Sequence, residues 1–385
     1  MLPTGSTTDL RRHNRDAVLR AIKSHGAISR TEIADHVGLT NAAVSRITKQ
    51  LICAGLVEEG ERIELKGHAG RRQVSLEMAR DGAFVLGFAI TLNAREVVIA
   101  DGHGTIFDRV DCSDVSLRKP DPALQEFASR AKRLVKRAGI DSRRLLGSAA
   151  SVAGRVDPLD GRITGAGPLD WDGQRVAAKL EALTGLNCVS EGRAAALLRA
   201  EHQQGQANGI TDILLVNVGL KIGTACMVDG HLLRGSASNA CLLGRYRISQ
   251  TTCLDDVASG FAVLAQLNCA ARASTTQRDP GRRLREFAEQ SATPGNNFAG
   301  AFRRAGRALG KALDRLTPVL SPQLIILAGL VGRQEAYLDG AKSVLDSSIM
   351  PLRTSRLTTS ETAIWLALET YLFSHDLDID SLMAA

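Results

Sequence analysis

The segment ISRTEIADHVGLTNAAVSRITKQLICAG, residues 28–55, decides how the N-terminal part of this chain folds. Ser29 stands before a short apolar pattern with Glu32 three residues on, the reciprocal pair that satisfies the free amides of a new helix. Ile33 and Val37 form an i, i+4 apolar pair, and Gly38 follows, able to take the left-handed conformation that ends a helix. Leu39 can plug the space between two helices, and Thr40 is placed to cap the second. In that second helix Val44, Ile47 and Leu51 make one apolar face, and Asn41, Ala42, Ser45, Arg46 and Lys49 fall on the other. Two capped helices joined by a tight turn predict a helix-turn-helix whose second helix enters the major groove. Asn can pair with adenine and Arg with guanine, while Ser or Lys can hold phosphates. The plain alternative is a helical hairpin with a solvated face.

Outward from this segment, residues 14–25 place Val18, Leu19 and Ile22 on one stripe, enough for a supporting first helix. Residues 56–57 and 62–65 read as two short strands around an acidic, Gly-containing turn, with 74–76 available to pair with them. The order predicts a winged helix-turn-helix DNA-binding domain over residues 1–80. Between its strands GHAGRR (67–72) makes a basic loop. Such a loop is either an ordinary solvated turn or an arm for the minor groove, where negative potential attracts Arg. The expected contacts with a double-stranded operator are Asn41, Ala42, Ser45 and Arg46 on base edges. Ser29, Arg30, Thr40 and Lys49 are expected on the backbone, and Arg71 and Arg72 in the minor groove.

Charge supports this modestly. Residues 1–80 hold 13 Lys and Arg against 9 Asp and Glu, a net of +4 within a chain of +7. That excess suits phosphate contact, and it suits many proteins that never meet nucleic acid.

At 385 residues the chain has room for two or three domains. With 44% hydrophobic and 4% aromatic residues it reads as globular, not disordered. No apolar run approaches the ~20 residues that span a bilayer, and the N-terminus lacks the apolar core of a signal peptide. A cytoplasmic protein with no membrane partner is expected. The seven cysteines are dispersed without a C-x-x-C pair, and the eight histidines are isolated. Buried thiols are the simplest reading, with no metal and no cofactor.

From Phe84 the pattern alternates between strand and helix. Strands are expected at 83–90, 96–100, 104–107, 145–152, 213–218, 224–228 and 324–327. Helices are expected at 123–138, 176–184, 194–203 and 298–316, with a last one following 359–367. This predicts an α/β protein with sheets covered by helices. Two glycine-bearing turns, VGLKIG (218–223) and LAGLVG (327–332), follow strands. Each either presents amides to a phosphate or is simply a tight turn.

The helix-turn-helix, SVAGRVD (151–157) with Gly161, PLDW (168–171), AAAL (194–197) and VDGHLLRG (228–235) together resemble the ROK family. That family groups sugar kinases with sugar-responsive transcriptional repressors. The resemblance implies a winged helix-turn-helix followed by a two-lobed, actin-like, ribonuclease-H-like ATPase fold over 81–385. The lobes would be approximately 81–190 with the C-terminal helix, and 191–360. Family kinases open with an Asp-x-Gly-Gly-Thr phosphate loop, and here the stretch is AITLN (89–93). Their catalytic base lies in an Asn-Asp-Ala-Asn phrase, and here SEGR (190–193) replaces it. Glu191 then keeps a displaced carboxylate, which Arg193 can pair with in a structural salt bridge. The sugar-binding Glu and zinc-binding His positions fall on Leu242 and Arg245. One cysteine, Cys253, cannot supply a zinc site that needs four ligands.

The combined reading is a transcriptional regulator, a repressor of sugar-uptake or catabolic genes, whose kinase-like part is a non-catalytic effector-sensing and dimerising region. A homodimer or dimer of dimers is expected, with a sugar or sugar-phosphate effector near Gly154, Asp170, Glu191, Arg193, Gly219 and Arg245. The competing readings are an active sugar kinase with a DNA-binding head, using Glu191 as base, and an architectural dimer without a ligand.

Overall fold

Among the described residues, six elements make the head: α1 (Thr7–His25), β1 (Ile28–Ser29), α2 (Arg30–Val37), α3 (Asn41–Cys53), β2 (Val57–Ile63) and β3 (Gln73–Met78). The computed structural model describes residues 7–63, 73–165, 169–268, 280–291, 298–345 and 351–383. Val18, Leu19, Ile22, Ile33, Val44 and Leu51, the apolar positions of the three helices, are fully buried together. Two expectations for the ribbon are corrected. Residues 57–63 form one strand instead of two, because Gly60 and Glu61 are absorbed as an irregularity between Glu59 and Arg62 while the chain keeps its direction. Residues 28–29, read from sequence only as a helix cap, also form a strand that pairs antiparallel with Leu76 and Ser75.

The body contains two five-stranded sheets of like construction. The first uses β4 (Phe84–Ile90), β5 (Arg95–Asp101) and β6 (Ile106–Asp111), followed by α4 (Pro120–Ala138) and β7 (Leu145–Val152). A small ribbon, β8 (Arg155–Val156) with β9 (Ile163–Thr164), then α5 (Val176–Thr184) and β10 (Cys188–Gly192) complete it. Its order is β10-β7-β4-β5-β6, with the hairpin strands antiparallel and β7 and β10 parallel.

After α6 (Arg193–Gln204) the second sheet repeats the plan with β11 (Ile213–Val218), β12 (Ile222–Val228) and β13 (His231–Leu233). Helices α7 (Asp255–Ala258), α8 (Gly260–Asn268), α9 (Pro280–Ser291) and α10 (Phe298–Leu320) precede β14 (Leu324–Ala328). Then come α11 (Gly329–Gly332), α12 (Glu335–Lys342), β15 (Leu352–Thr354), α13 (Thr359–Tyr371) and α14 (Asp380–Met383). The second order is β13-β12-β11-β14-β15, again antiparallel first and parallel last. Near-continuous Val, Ile and Leu in β11 and β14 fit strands covered on both faces.

Helix α13 ties the parts together. It packs on β4, β7 and α6. The missing side chain of Gly87 gives Ile364 and Ala363 their close approach to the sheet. Ile364, Leu368, Leu372 and Phe373 join the buried side chains of the head in one continuous apolar cluster. Polar groups clamp its rim. Arg20 donates from Nη1 and Nη2 to Glu369 at 3.0 and 2.9 Å and also reaches the Phe373 carbonyl. Arg144 reaches the carbonyls of Ala54 and Gly82. Arg15 reaches that of Leu377, and His13 stacks on His375 with centroids 5.0 Å apart.

Within this seam the Lys23 ammonium sits 3.9 Å from the Trp365 ring centroid. Burial pulls its pKa down to about 7, with Glu369 opposing and Arg20 assisting. The unfolded chain, whose lysine titrates near 10.5, therefore holds more protons between those two values. This group makes the fold more stable as pH rises from neutral toward 10. Replacing Lys23 by Met is expected to flatten that rise between about pH 7 and 9, measured by urea unfolding. A rise unchanged by the substitution contradicts the assignment.

Candidate DNA-reading face and ligand cleft

The second helix of the head is held by its caps. Thr40, in extended backbone, accepts from the Ala43 amide at 3.2 Å. Gly38 ends α2 in the left-handed region at φ 67°. Val44, Ile47 and Leu51 face inward, which leaves Asn41, Ala42, Ser45, Arg46 and Lys49 exposed in one row. Thr40 is exposed at the entry to that row. Exposed Cys53 extends the same face at its C-terminal end, a position the sequence reading did not single out.

Two expected backbone contacts are placed differently. Ser29 is fully buried, with its hydroxyl accepting from Glu32 at 3.2 Å and its amide donating to the Glu32 carboxylate at 2.9 Å. It shapes the start of α2 and has no surface to offer a phosphate. Arg30 is half-buried, donating to Thr48 at 3.2 Å and to Glu59 at 2.7 Å, so it braces α3 against the wing strand. Arg71 and Arg72 lie outside the described residues.

Between the two sheets runs a cleft of about 590 Å³. The turn at 91–94, the 153–155 segment, the start of α6, the β11–β12 turn, residues 242–245 and α11 line it, with the first turn of α13. Of the expected effector residues, Gly154, Arg193, Gly219 and Arg245 line this cleft. Asp170 does not: it is exposed and outside the lining. Glu191 is also outside the lining, buried behind it. Its oxygens accept from the Gly192 amide at 2.9 Å and from Arg234 at 2.5 Å. The expected pairing with Arg193 is thus corrected. Arg193 instead donates to Asn217 at 3.2 Å, and burial, followed by the charge of Arg333, pulls its pKa down to about 10.

The cleft is cationic. Arg155, Lys221, Arg285 and Arg333 join Arg193 and Arg245, against the carboxylates of Glu96 and Asp255. Arg155 was in plain view inside the SVAGRVD phrase. Arg285 belongs to α9, an element whose polar surface gave no sequence signal. The turn at 91–94 closes on itself through Thr91 and Ala94, which bond amide to carbonyl at 2.9 Å. Leu92 packs into the cores of both lobes from this turn, so the place of a phosphate-cradling glycine is filled by an apolar side chain.

Sequence comparison matches residues 95–360 to the ROK family and residues 14–59 to the MarR family. The chain belongs to the ROK family. Among its relatives, the xylose repressor of Caldicellulosiruptor bescii is 24% identical over 366 residues, covering 89% of each chain. The DNA-binding transcriptional dual regulator NagC of Escherichia coli is 24% identical over 355 residues, 87% of this chain and 84% of that one. Of solved structures, a ROK family transcriptional regulator homologous to E. coli MLC superposes with TM-score 0.76 at 18% identity, covering 98% and 100%. A ROK glucokinase from Streptomyces griseus, solved with glucose and AMPPNP, superposes with TM-score 0.60 at 19% identity, covering 74% and 98%. The actin-like ROK fold with a MarR-like winged helix in front is therefore the architecture of this chain.

Since Arg234 neutralises a carboxylate that is otherwise buried, Arg234→Ala is expected to cost about 1–3 kcal/mol of stability. A urea midpoint equal to that of the unaltered protein would show that Glu191 does not depend on this partner.

Proposed function

We propose that this protein is a DNA-binding transcriptional regulator, acting as a repressor of carbohydrate uptake or catabolism genes, whose ROK body senses a ligand without phosphorylating it. The exposed row of Asn41, Ala42, Ser45, Arg46 and Lys49 on a helix buried along its other side carries this reading. It presents polar donors and acceptors on a protruding helix, the form that major-groove readout requires. The repressor and transcriptional-regulator names borne by its relatives agree with it.

The body supports the non-catalytic half of the proposal. A base must stand at hydrogen-bond distance from the hydroxyl it activates, and both oxygens of Glu191 are engaged away from the cleft. Leu92 fills the first phosphate turn, although Gly219, Gly223 and Gly329 still border the cleft. In this reading no cofactor or metal is needed. The chain works as a homodimer on a pseudo-palindromic operator with half-sites about one helical turn apart. Its place is the cytoplasm, and among the described residues no helix is long and apolar enough to cross a membrane.

Helix α13 supplies the link between ligand and DNA. Its capped first turn, at Thr358 and Thr359, lines the cleft, while Trp365 and Glu369 farther along hold the head. Thirteen residues of helix reach about 20 Å. A ligand that moves the cleft wall in one of two states therefore moves the seat of the head, which is the differential interaction allostery requires.

Fluorescence anisotropy with promoter duplexes tests the DNA half. Arg46→Ala is expected to weaken selective binding by about 1–3 kcal/mol and to relax preference at one base position. A loss equal on all sequences would reassign it to phosphate. A coupled ATPase assay across neutral sugars tests the other half, with no turnover expected. Turnover abolished by Glu191→Gln would establish the kinase reading instead.

A further inference from the structure

Among the described residues, Arg155 and Arg245 are the two cleft guanidiniums with no hydrogen-bond acceptor. Arg193, Arg285 and Arg333 each donate to a side-chain or main-chain oxygen, at Asn217, Asn93 and the carbonyls of Arg356 and Leu357. Arg155 Nε is buried from solvent and makes no hydrogen bond. Its guanidinium lies over Gly165, where an added Cβ would fall 2.6 Å from Nη2. That glycine has φ +60°, so the backbone there is shaped to leave the arginine its room. Arg245 stands close enough that its charge adds to burial in lowering the pKa of Arg155, with the Asp172 carboxylate opposing. The carboxylates bordering the same cleft are partly engaged with other groups, and the charges of Lys221 and Arg245 also act on Asp255. Asp255 accepts from the Ile222 amide at 2.8 Å, and Glu96 accepts from Ser360. Two neighbouring guanidiniums, one with a buried and unused donor, favour an added anion that can reach both.

We propose that Arg155 and Arg245, beside the Gly154 backbone, bind the anionic group of a monosaccharide-sized ligand, a phosphate ester or a carboxylate. This rests on the reading of the cleft as an effector site and specifies its chemistry. Planar guanidiniums give paired, charge-assisted bonds to such oxygens. A neutral sugar can accept from Arg155 through a hydroxyl but supplies no opposite charge, so the site favours the anionic ligand through charge-assisted bonds. Lys221, exposed on the facing turn, adds positive potential at the entrance.

Isothermal titration calorimetry on the full chain, with glucose, glucose 6-phosphate, glucuronate, inorganic phosphate and ADP as probes, tests this. At least one anionic hexose is expected to bind about 10-fold to 100-fold more tightly than glucose, with an advantage that shrinks as salt rises. The phosphate and carboxylate arms tell the two anions apart. Arg155→Gln and the surface variant Arg245→Gln are each expected to reduce the anionic hexose to the level of glucose, while far-ultraviolet circular dichroism stays unchanged. The proposal is overturned if glucose binds as well as both anionic hexoses or if neither anionic hexose binds. Inorganic phosphate or ADP alone matching them overturns it too, as does a charge preference that survives in Arg245→Gln. Binding of the anionic hexose with no effect on operator affinity leaves this site standing and contradicts the regulator reading instead.

Discussion

The paired bonds from Arg20 to Glu369, set on an apolar cluster that α1 shares with α13, fix where the reading helix points. Glu369 is almost wholly buried, with 6% of its side chain exposed, while Arg20 keeps 41%. Burial opposes the Arg20 charge, yet the bonds to Glu369 outweigh it and hold the guanidinium protonated. An ion pair in such a place contributes little net stability when compared with apolar neighbours, but removing one partner strands the other. Its effect is to select one orientation from the many that a purely greasy seam would accept. The head consequently shares one continuous apolar cluster with the first lobe.

That seam gives the cleft a mechanical consequence. One end of α13 borders the ligand space and the other holds the DNA-reading module, and the helix is packed along its length on the first sheet. Packed cores do not deform continuously; they move between discrete arrangements. In the proposed reading, few changes turn the nucleotide machinery of the family's kinases to a binding role. Leu92 closes a phosphate turn and Arg234 takes up the carboxylate of Glu191, while arginines make the remaining space attractive to anions.

How much of this the sequence discloses depends on whether a residue's role is local. The helix caps at Ser29 and Thr40, the turn at Gly38 and the helical faces are set by neighbours in the chain, and they were legible. The strands β4, β7 and β11 announced themselves through continuous apolar runs. Roles set by distant partners were not legible. Ser29 resembles a phosphate contact until β3 covers it, and the partner of Glu191 lies 43 positions away in β13's following turn. Arg155 gained meaning only when the fold brought Arg245 beside it. The single strand β2 was misread because an acidic glycine pair looks the same as a bulge or a reversal.

Hydrogen exchange on the full chain under native conditions tests the shared seam most directly. If head and body form one cooperative unit, amides of α1 around Val18 to Ile22 and of α13 around Ile364 to Leu368 should open with the same free energy and the same urea dependence. Amides of α1 exchanging by an independent, much easier opening, while α13 stays protected, would mean that the head swings freely and that the cleft has no rigid route to DNA.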